Sequence, residues 1–195
     1  FIKFYDKNIF INNKDFGESR ITIKNTSMVN LSPEDSIRAS KESKIIRDAL
    51  QTFSTKYKSN LNFSNPVEGI ISSRYGKKRF INESPRSPHL ALDIAAPEGT
   101  KIIAPEEGKV ILVGDFFYSG NYLILDHGYG LLSSYSHLSK INVSINQLIE
   151  KGEKIGEIGS TGRVTGPHLH WSVYLDKTRI NPESIIKDNF LESIL

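Results

Sequence analysis

Four of the five histidines in this 195-residue chain fall in three short clusters, His89-Leu-Ala-Leu-Asp93, Tyr135-Ser-His137-Leu and His168-Leu-His170. The pattern looks like a zinc site with catalytic histidines beside it. Zinc takes imidazole nitrogen and carboxylate oxygen, and a hydrolytic site keeps three protein ligands and leaves the fourth position to water. Each cluster alone also has a plainer explanation. In an extended strand His168 and His170 share one face while Leu169 points into a core, but an exposed strand can carry such a pair by accident. His89 and Asp93, four apart, are neighbours on one side of a strand or of a helix. Pro88 before them and Ala95-Ala-Pro97-Glu-Gly99 after them favour an extended stretch, and the pair reads equally as a hydrogen-bonded structural one. His137 closes a β-prone run, where a histidine merely satisfied by hydrogen bonds is common. His127, in an Asp126-His-Gly turn, keeps that plainer reading.

Other chemistries are excluded more firmly. The chain has no cysteine, so disulfides, zinc thiolates and cysteine nucleophiles are ruled out, and any metal must be held by His, Asp or Glu. The glycine-rich stretch Gly156 to Gly166 lacks the Gly-Lys-Ser/Thr ending of a phosphate loop and opens no helix; it reads as a tight loop delivering His168 and His170. A net charge of +3 with no basic stripe gives no argument for nucleic acid. No apolar run approaches the roughly 18 residues of a membrane span. Arg74, Lys77, Lys78, Arg79 and Arg86 read mainly as a solvated loop, with some contact to an anionic polymer as the alternative. Trp171 and Phe116-Phe-Tyr118 read as packing residues beside strands.

The elements that must position the histidines are mainly β. Residues 1–31 form an N-terminal β segment, with Ile9 to Ile11 and Arg20 to Lys24 as arms of one or two hairpins. Residues 32–64 form a helix and linker: Ser32 is an N-cap, Pro33 takes the first helical position, and Glu34 and Asp35 sit in the first turn. Ile37, Ile45, Ile46, Ala49, Leu50 and Phe53 recur at helical spacing, which predicts an end near Phe53, and Lys56 to Phe63 reads as a polar linker. From 65 to 195 short β runs alternate with Gly and Pro, an all-β signature. Strands are expected over Lys101 to Ala104, Gly108 to Gly114, Asn121 to Leu125, Leu131 to Ser136, Lys154 to Ile158 and Leu169 to Leu175, with Asp126 to Gly130 as a hairpin turn. The chain starts at Phe1 without a signal-peptide pattern, so it is expected to begin inside a longer protein.

Taken in order, Ser73-Arg-Tyr-Gly76, Pro88-His-Leu-Ala-Leu-Asp-Ile-Ala-Ala-Pro-Glu-Gly-Thr100, Asn121 to His127, Tyr135-Ser-His-Leu138 and Gly159-Ser-Thr-Gly-Arg-Val-Thr-Gly-Pro-His-Leu-His-Trp171 closely resemble the LytM/lysostaphin family. These are zinc metalloendopeptidases that cut peptidoglycan peptides. The resemblance runs from about Asn65 to Pro182 and implies a LytM-type, barrel-sandwich-like β domain. Position by position it makes His89, Asp93 and His170 the ligands of one zinc ion, and His137 and His168 the two active-site histidines that do not bind metal. Two neutral imidazoles and one carboxylate would leave zinc a net positive charge, lowering its water's pKa towards about 7.

The chain departs from the family at Ala91 and Asn146, where relatives favour glycine. Ala91 could narrow the groove floor if the backbone there faces substrate. The region from Phe16 through the Ser32 helix also looks like the segment preceding the catalytic domain in Gram-negative envelope members. That implies a periplasmic enzyme, a D-alanyl-meso-diaminopimelate bond as substrate, and intramolecular regulation by an N-terminal region over the groove. The competing functions are a catalytically silent relative that binds the wall or activates an amidase, and a lipoyl-like β carrier.

Overall fold

In a computed structural model of the chain, the residues described are 13–24, 26–55 and 62–186. The strands are β1 (Glu18–Ile21), β2 (Ile70–Ser73), β3 (Lys78–Ile81), β4 (Ser84–Arg86), β5 (Leu92–Ala95), β6 (Lys101–Ile103), β7 (Gly108–Phe116), β8 (Gly120–Asp126), β9 (Leu131–Ile141), β10 (Leu148–Ile149), β11 (Lys154–Ile158), β12 (His168–Leu175) and β13 (Thr178–Ile180). The helices are α1 (Pro33–Ala49), the single turn α2 (Glu183–Ile186) and a short 3₁₀ turn at Thr26–Met28. The fold is mainly β, as the alternation of short apolar runs with Gly and Pro implies. One sheet follows the order β10-β7-β8-β9-β12-β5-β2, with β11 bridging β9 and β6 and with β13 on β12. A smaller sheet orders β1-β3-β4.

Three expectations change at the N-terminal side. The run Ile9 to Ile11 lies outside the described residues. Its proposed companion does form a strand, but β1 pairs in parallel with β3, Glu18 opposite Lys78 and Ile21 opposite Ile81. A parallel partner lies far along the chain and leaves no turn signal next to the strand, so local reading supplies a hairpin by default. The helix begins as expected, with Ser32 Oγ accepting from Asp35 N at 3.0 Å, but ends at Ala49 rather than near Phe53. Gln51 N and Thr52 N bond back to Asp48 O and Ala49 O, tightening the last turn, and Ser54 O then accepts from Tyr129 N at 2.7 Å. Phe53 therefore leaves the helix to pack edge-on against Tyr129. Finally, Phe63 is not linker: it is buried, stacks over Trp171 and meets the His127 ring edge-on. Residues 56–61 lie outside the described set.

Strand alternation divides the main sheet into two faces. On one face Leu92, Ile94, Leu123, Leu125, Tyr135, Leu138, Leu169, Trp171 and Val173 form the core. On the other, Ile124, Leu132 and Tyr174 form a second apolar cluster covered by Leu50, Ile46 and Ala49 from the last half of α1. Moving along β9 and β12 on this second face, the helix-covered residues give way to Ser134 and Ser172, then to Ser136 and the histidines. Small serines at mid-sheet keep the face open as a groove.

His127 anchors the β8–β9 turn. It is fully buried, with Nδ1 2.6 Å from Glu107 O and Nε2 2.7 Å from Ser133 Oγ, which is in turn 2.8 Å from Tyr135 OH. A carbonyl only accepts, so Nδ1 carries the proton and Nε2 accepts from Ser133. Burial pushes its pKa from 6.5 down to about 4. The unfolded chain thus protonates this histidine before the folded chain does. Its contribution is complete above about pH 6.5 and is lost as the pH falls from there towards 4. In thermal melts, the advantage of the parent over His127→Gln is expected to shrink across that window; a constant difference would contradict the assignment.

Candidate metal centre

β5 and β12 run antiparallel with Asp93 directly opposite His170 and Ala95 opposite His168. The period of two puts Asp93, His168 and His170 on the groove face and their neighbours Ile94, Leu169 and Trp171 in the core. His89 arrives from the loop between β4 and β5. Its backbone is fixed by His89 N donating to Lys77 O at 2.8 Å and Gly76 N donating to His89 O at 2.7 Å. His89 Nδ1 lies 3.1 Å from Arg74 O and 3.3 Å from Ser73 Oγ. The carbonyl requires a proton on Nδ1, so Nε2 offers its lone pair inward.

Three donor atoms meet there. His89 Nε2 is 2.9 Å from Asp93 Oδ1 and 3.3 Å from His170 Nδ1, and His170 Nδ1 is 2.7 Å from Asp93 Oδ1. Ligands at 2.0–2.1 Å from a tetrahedral zinc are about 3.3 Å apart, so the triangle needs to open by only tenths of an ångström to hold one. Two imidazoles and a carboxylate, without thiolate, also suit zinc chemically, and this His-His-Asp group is the one His/Cys/Asp/Glu cluster of metal-binding geometry among the described residues. Burial alone would raise the Asp93 carboxyl, but His170 first and His89 second outweigh it and hold the group well below the usual carboxylate range. Burial pushes His170 down, towards the neutral form that a metal requires.

His137 and His168 stand next to this triangle, their ring centroids 4.9 Å apart and His137 5.8 Å from His170. His137 reaches the groove through a β-bulge. Tyr135 and Leu138 both point into the core although they are three positions apart, which strict alternation forbids. The register of β9 on β8 slips between Leu123↔Tyr135 and Asn121↔Leu138, and His137 takes a left-handed φ of 69° to absorb the extra residue. His137 Nδ1 lies 2.9 Å from Thr161 O and His168 Nδ1 lies 2.8 Å from Gly166 O. Both carbonyls place the proton on Nδ1 and leave Nε2 free to accept. Burial, reinforced by His170 and His168, lowers His137 to about 3, so it is neutral.

The glycine-rich loop thus does more than deliver His168 and His170: two of its carbonyls orient the flanking histidines. It approaches β8 so closely that a Cβ on Gly162 would lie 2.4 Å from Gly120 N, and one on Gly120 would strike Thr161. Thr161 Oγ1 completes the clamp by accepting from Asn121 N and donating to Leu138 O, both at 2.9 Å. Sequence reasoning did not find these contacts, because backbone carbonyls leave no signature in residue type. It also placed Arg79 in a solvated loop and Tyr118 in packing. Arg79 lies on β3 with Nη2 4.0 Å from Asp93 Oδ2, and Tyr118 lines the groove under the Arg163 guanidinium. Ala91 is fully buried and is not among the groove residues, so its methyl does not narrow the floor. Asn146 adopts φ 70°, a conformation asparagine tolerates where glycine is common.

The groove has a volume of about 1160 Å³ and is bordered by Ser19 and Ile21 of β1, by Ile46 of α1 and its C-cap Leu50, and by the histidines. Among the described residues no helix is long and apolar enough to cross a membrane.

Residues 87–182, which contain every residue of the cluster, match the model of peptidase family M23. The peptidoglycan DD-endopeptidase ShyA of Vibrio cholerae is 38% identical over 112 residues, 57% of this chain and 26% of that protein. The chain spans between 20% and 35% of the length of the first curated relatives it matches. Among solved structures, a Pseudomonas aeruginosa chain assigned to peptidase M23 superposes with a TM-score of 0.70 at 43% identity, over 79% of this chain and 63% of that one. LytU superposes with a TM-score of 0.52 at 30% identity, over 59% of this chain and 82% of its own. With its histidine clusters on adjoining strands of the same β framework, this chain belongs to peptidase family M23, the LytM/lysostaphin type.

Proposed function

We propose that the chain is a zinc-dependent endopeptidase of the bacterial envelope that hydrolyses D-alanyl-meso-diaminopimelate cross-links of peptidoglycan, with water as nucleophile and no covalent intermediate. The observation that carries this reading is the donor triangle of His89, Asp93 and His170 with His137 and His168 facing the same groove. His89, Asp93 and His170 would hold the zinc. When bound, zinc supplies Lewis acidity, acidifying water and polarising a peptide carbonyl.

The remaining chemistry falls to the two flanking histidines. Each presents an unprotonated Nε2 because a carbonyl fixes its proton on Nδ1. One Nε2 can take a proton from water, and the imidazolium N–H so formed can steady the developing oxyanion and return the proton to the leaving amine. The bond preference is supported by the kinship with ShyA, a DD-endopeptidase of a Gram-negative organism. A catalytically silent role is disfavoured, since such a protein has no need of three convergent donors and two oriented bases. Incubated with zinc, the chain is expected to cut cross-linked muropeptide dimers and to leave a pentaglycine peptide intact; the reverse preference would overturn the substrate assignment.

The N-terminal region restrains access to this site in our reading. β1 and α1 border the groove, and α1 is held by Leu50 in the apolar cluster and by Glu42 Oε2, which accepts from Phe117 N at 2.5 Å. Removing residues 1–65 is expected to speed sacculus digestion severalfold. Equal rates for the two chains would sink the idea.

A further inference from the structure

Beside the donor triangle lies a second hollow of about 420 Å³ whose lining contains four arginines, Arg79, Arg86, Arg163 and Arg179, and no acidic residue. It adjoins the groove and shares Arg79, Tyr118, Arg163, His170 and Arg179 with the groove lining. Four guanidinium groups around one small volume repel one another, and the partial burial of Arg79 and Arg163 strengthens that repulsion, while Arg86 and Arg179 are exposed. Burial pushes Arg163 below the usual guanidinium range, and the charges of Arg79 and Arg86 push it further.

Among the described residues, only the long Arg79–Asp93 ion pair offsets this charge. Arg79 Nε is buried and has no hydrogen-bond partner among the described residues. Its nearest carboxylate oxygen, Asp93 Oδ2, is 4.0 Å away, and the other oxygen of that group is engaged by His89 and His170. Arg163 lies over the Tyr118 ring at 4.3 Å, Arg179 Nε donates to Tyr174 OH at 3.2 Å, and neither these two nor Arg86 has an ion pair among the described residues. Buried donors without acceptors are rare because each costs its full desolvation. A planar carboxylate is the group whose two oxygens match guanidinium donors.

We propose that this arginine pocket binds the free α-carboxylate of the residue that supplies the leaving amine. The inference rests on the peptidase reading above and names what selects its substrate. Arg79 Nη2 stands 4.0 Å from a zinc-ligand carboxylate, so a carboxylate held here lies one residue from the bond being cut. In a D-alanyl-meso-diaminopimelate cross-link, the diaminopimelate carbon that gives its amine to the scissile bond keeps a free carboxylate. A terminal D-alanine does the same. A glycine inside a polyglycine bridge has an amide in that place and would leave the arginines unpaired, which a site built for hydrogen bonding rejects strongly.

The test uses the zinc-loaded chain and two pairs of peptides, one with a D-alanyl-meso-diaminopimelate bond and one ending in D-alanyl-D-alanine. In each pair the carboxyl beside the scissile bond is either free or amidated. The free acid is expected to be cut with a kcat/KM at least about tenfold above its amide in one or both pairs, in line with a charge-assisted contact. The pair that shows the effect identifies the source of the carboxylate. Arg163→Gln and the exposed-side Arg86→Gln are each expected to bring that ratio down severalfold, with the melting temperature as a check on folding. A parent ratio near one, or an undiminished ratio in both variants, overturns the proposal; the second result would mean that the metal itself reads the carboxylate. Calorimetric binding of the same acids and amides to the zinc-free chain separates the two readings. If no peptide is cut but acids still bind more tightly than amides in an arginine-dependent way, the peptidase reading fails and the pocket stands. Equal binding of acids and amides removes the pocket.

Discussion

His89→Ala and His170→Ala are each expected to empty the chain of zinc and to lower peptide hydrolysis by ~10³-fold or more, since Lewis-acid stabilisation is worth several kcal/mol and each 1.36 kcal/mol is a factor of ten. Either change leaves two donors where a hydrolytic zinc site needs three. The damage is local, because the rest of the triangle is fixed independently: β5 and β12 set Asp93 opposite His170 by strand register, and the loop bonds of Gly76 and Lys77 set His89. Metal analysis and circular dichroism of the purified variants check the two parts together. Variants that keep stoichiometric zinc, or that lose zinc yet digest sacculi at the parent rate, would show that the triangle is not the reactive centre.

His137→Asn and His168→Ala should give the complementary result. Zinc stays bound, while the rate falls by about 10² to 10⁴, the usual worth of a positioned acid or base. Asparagine is the informative replacement at position 137. His137 sits at φ 69° in the bulge, a region asparagine enters more readily than alanine, so the backbone is kept and only the base is removed. If either variant loses metal along with activity, that histidine is a ligand and the division of roles is wrong. If both are fully active, the flanking histidines are structural, and the proton must move through water.

Much of this site could be read from the chain because strand period and residue type suffice for it. His-x-His on a β run places both rings on one face whatever lies around it, and in the folded chain Asp93 and His89 do meet His170. The resemblance to the LytM type supplied what spacing could not, a proposed role for each histidine. The β9 bulge was not read from the chain: Tyr135-Ser-His137-Leu138 sets two polar residues between two apolar ones, which the end of a strand would also give, and the burial of both Tyr135 and Leu138 reveals the extra residue. β2, β3 and β4 were missed because Ile70 and Ile71 are exposed on an edge and Lys78 to Arg86 is rich in charge. That omission hid Arg79 as well: a residue assigned to a solvated loop turns out to sit on a strand beside the His-His-Asp group. Phe63 was lost among polar neighbours although its partners Trp171 and His127 lie more than sixty residues away.

If His89, Asp93 and His170 hold a zinc ion used to hydrolyse wall peptides, cross-linked dimers should report it. Purified peptidoglycan dimers are incubated with the zinc-loaded chain, with and without a chelator, and the products are read by mass spectrometry. Dimers are expected to become monomers with the gain of one water per D-alanyl-meso-diaminopimelate bond, a conversion abolished by chelator and restored by zinc. Unchanged dimers with zinc present, or cleavage that persists in chelator, would contradict it.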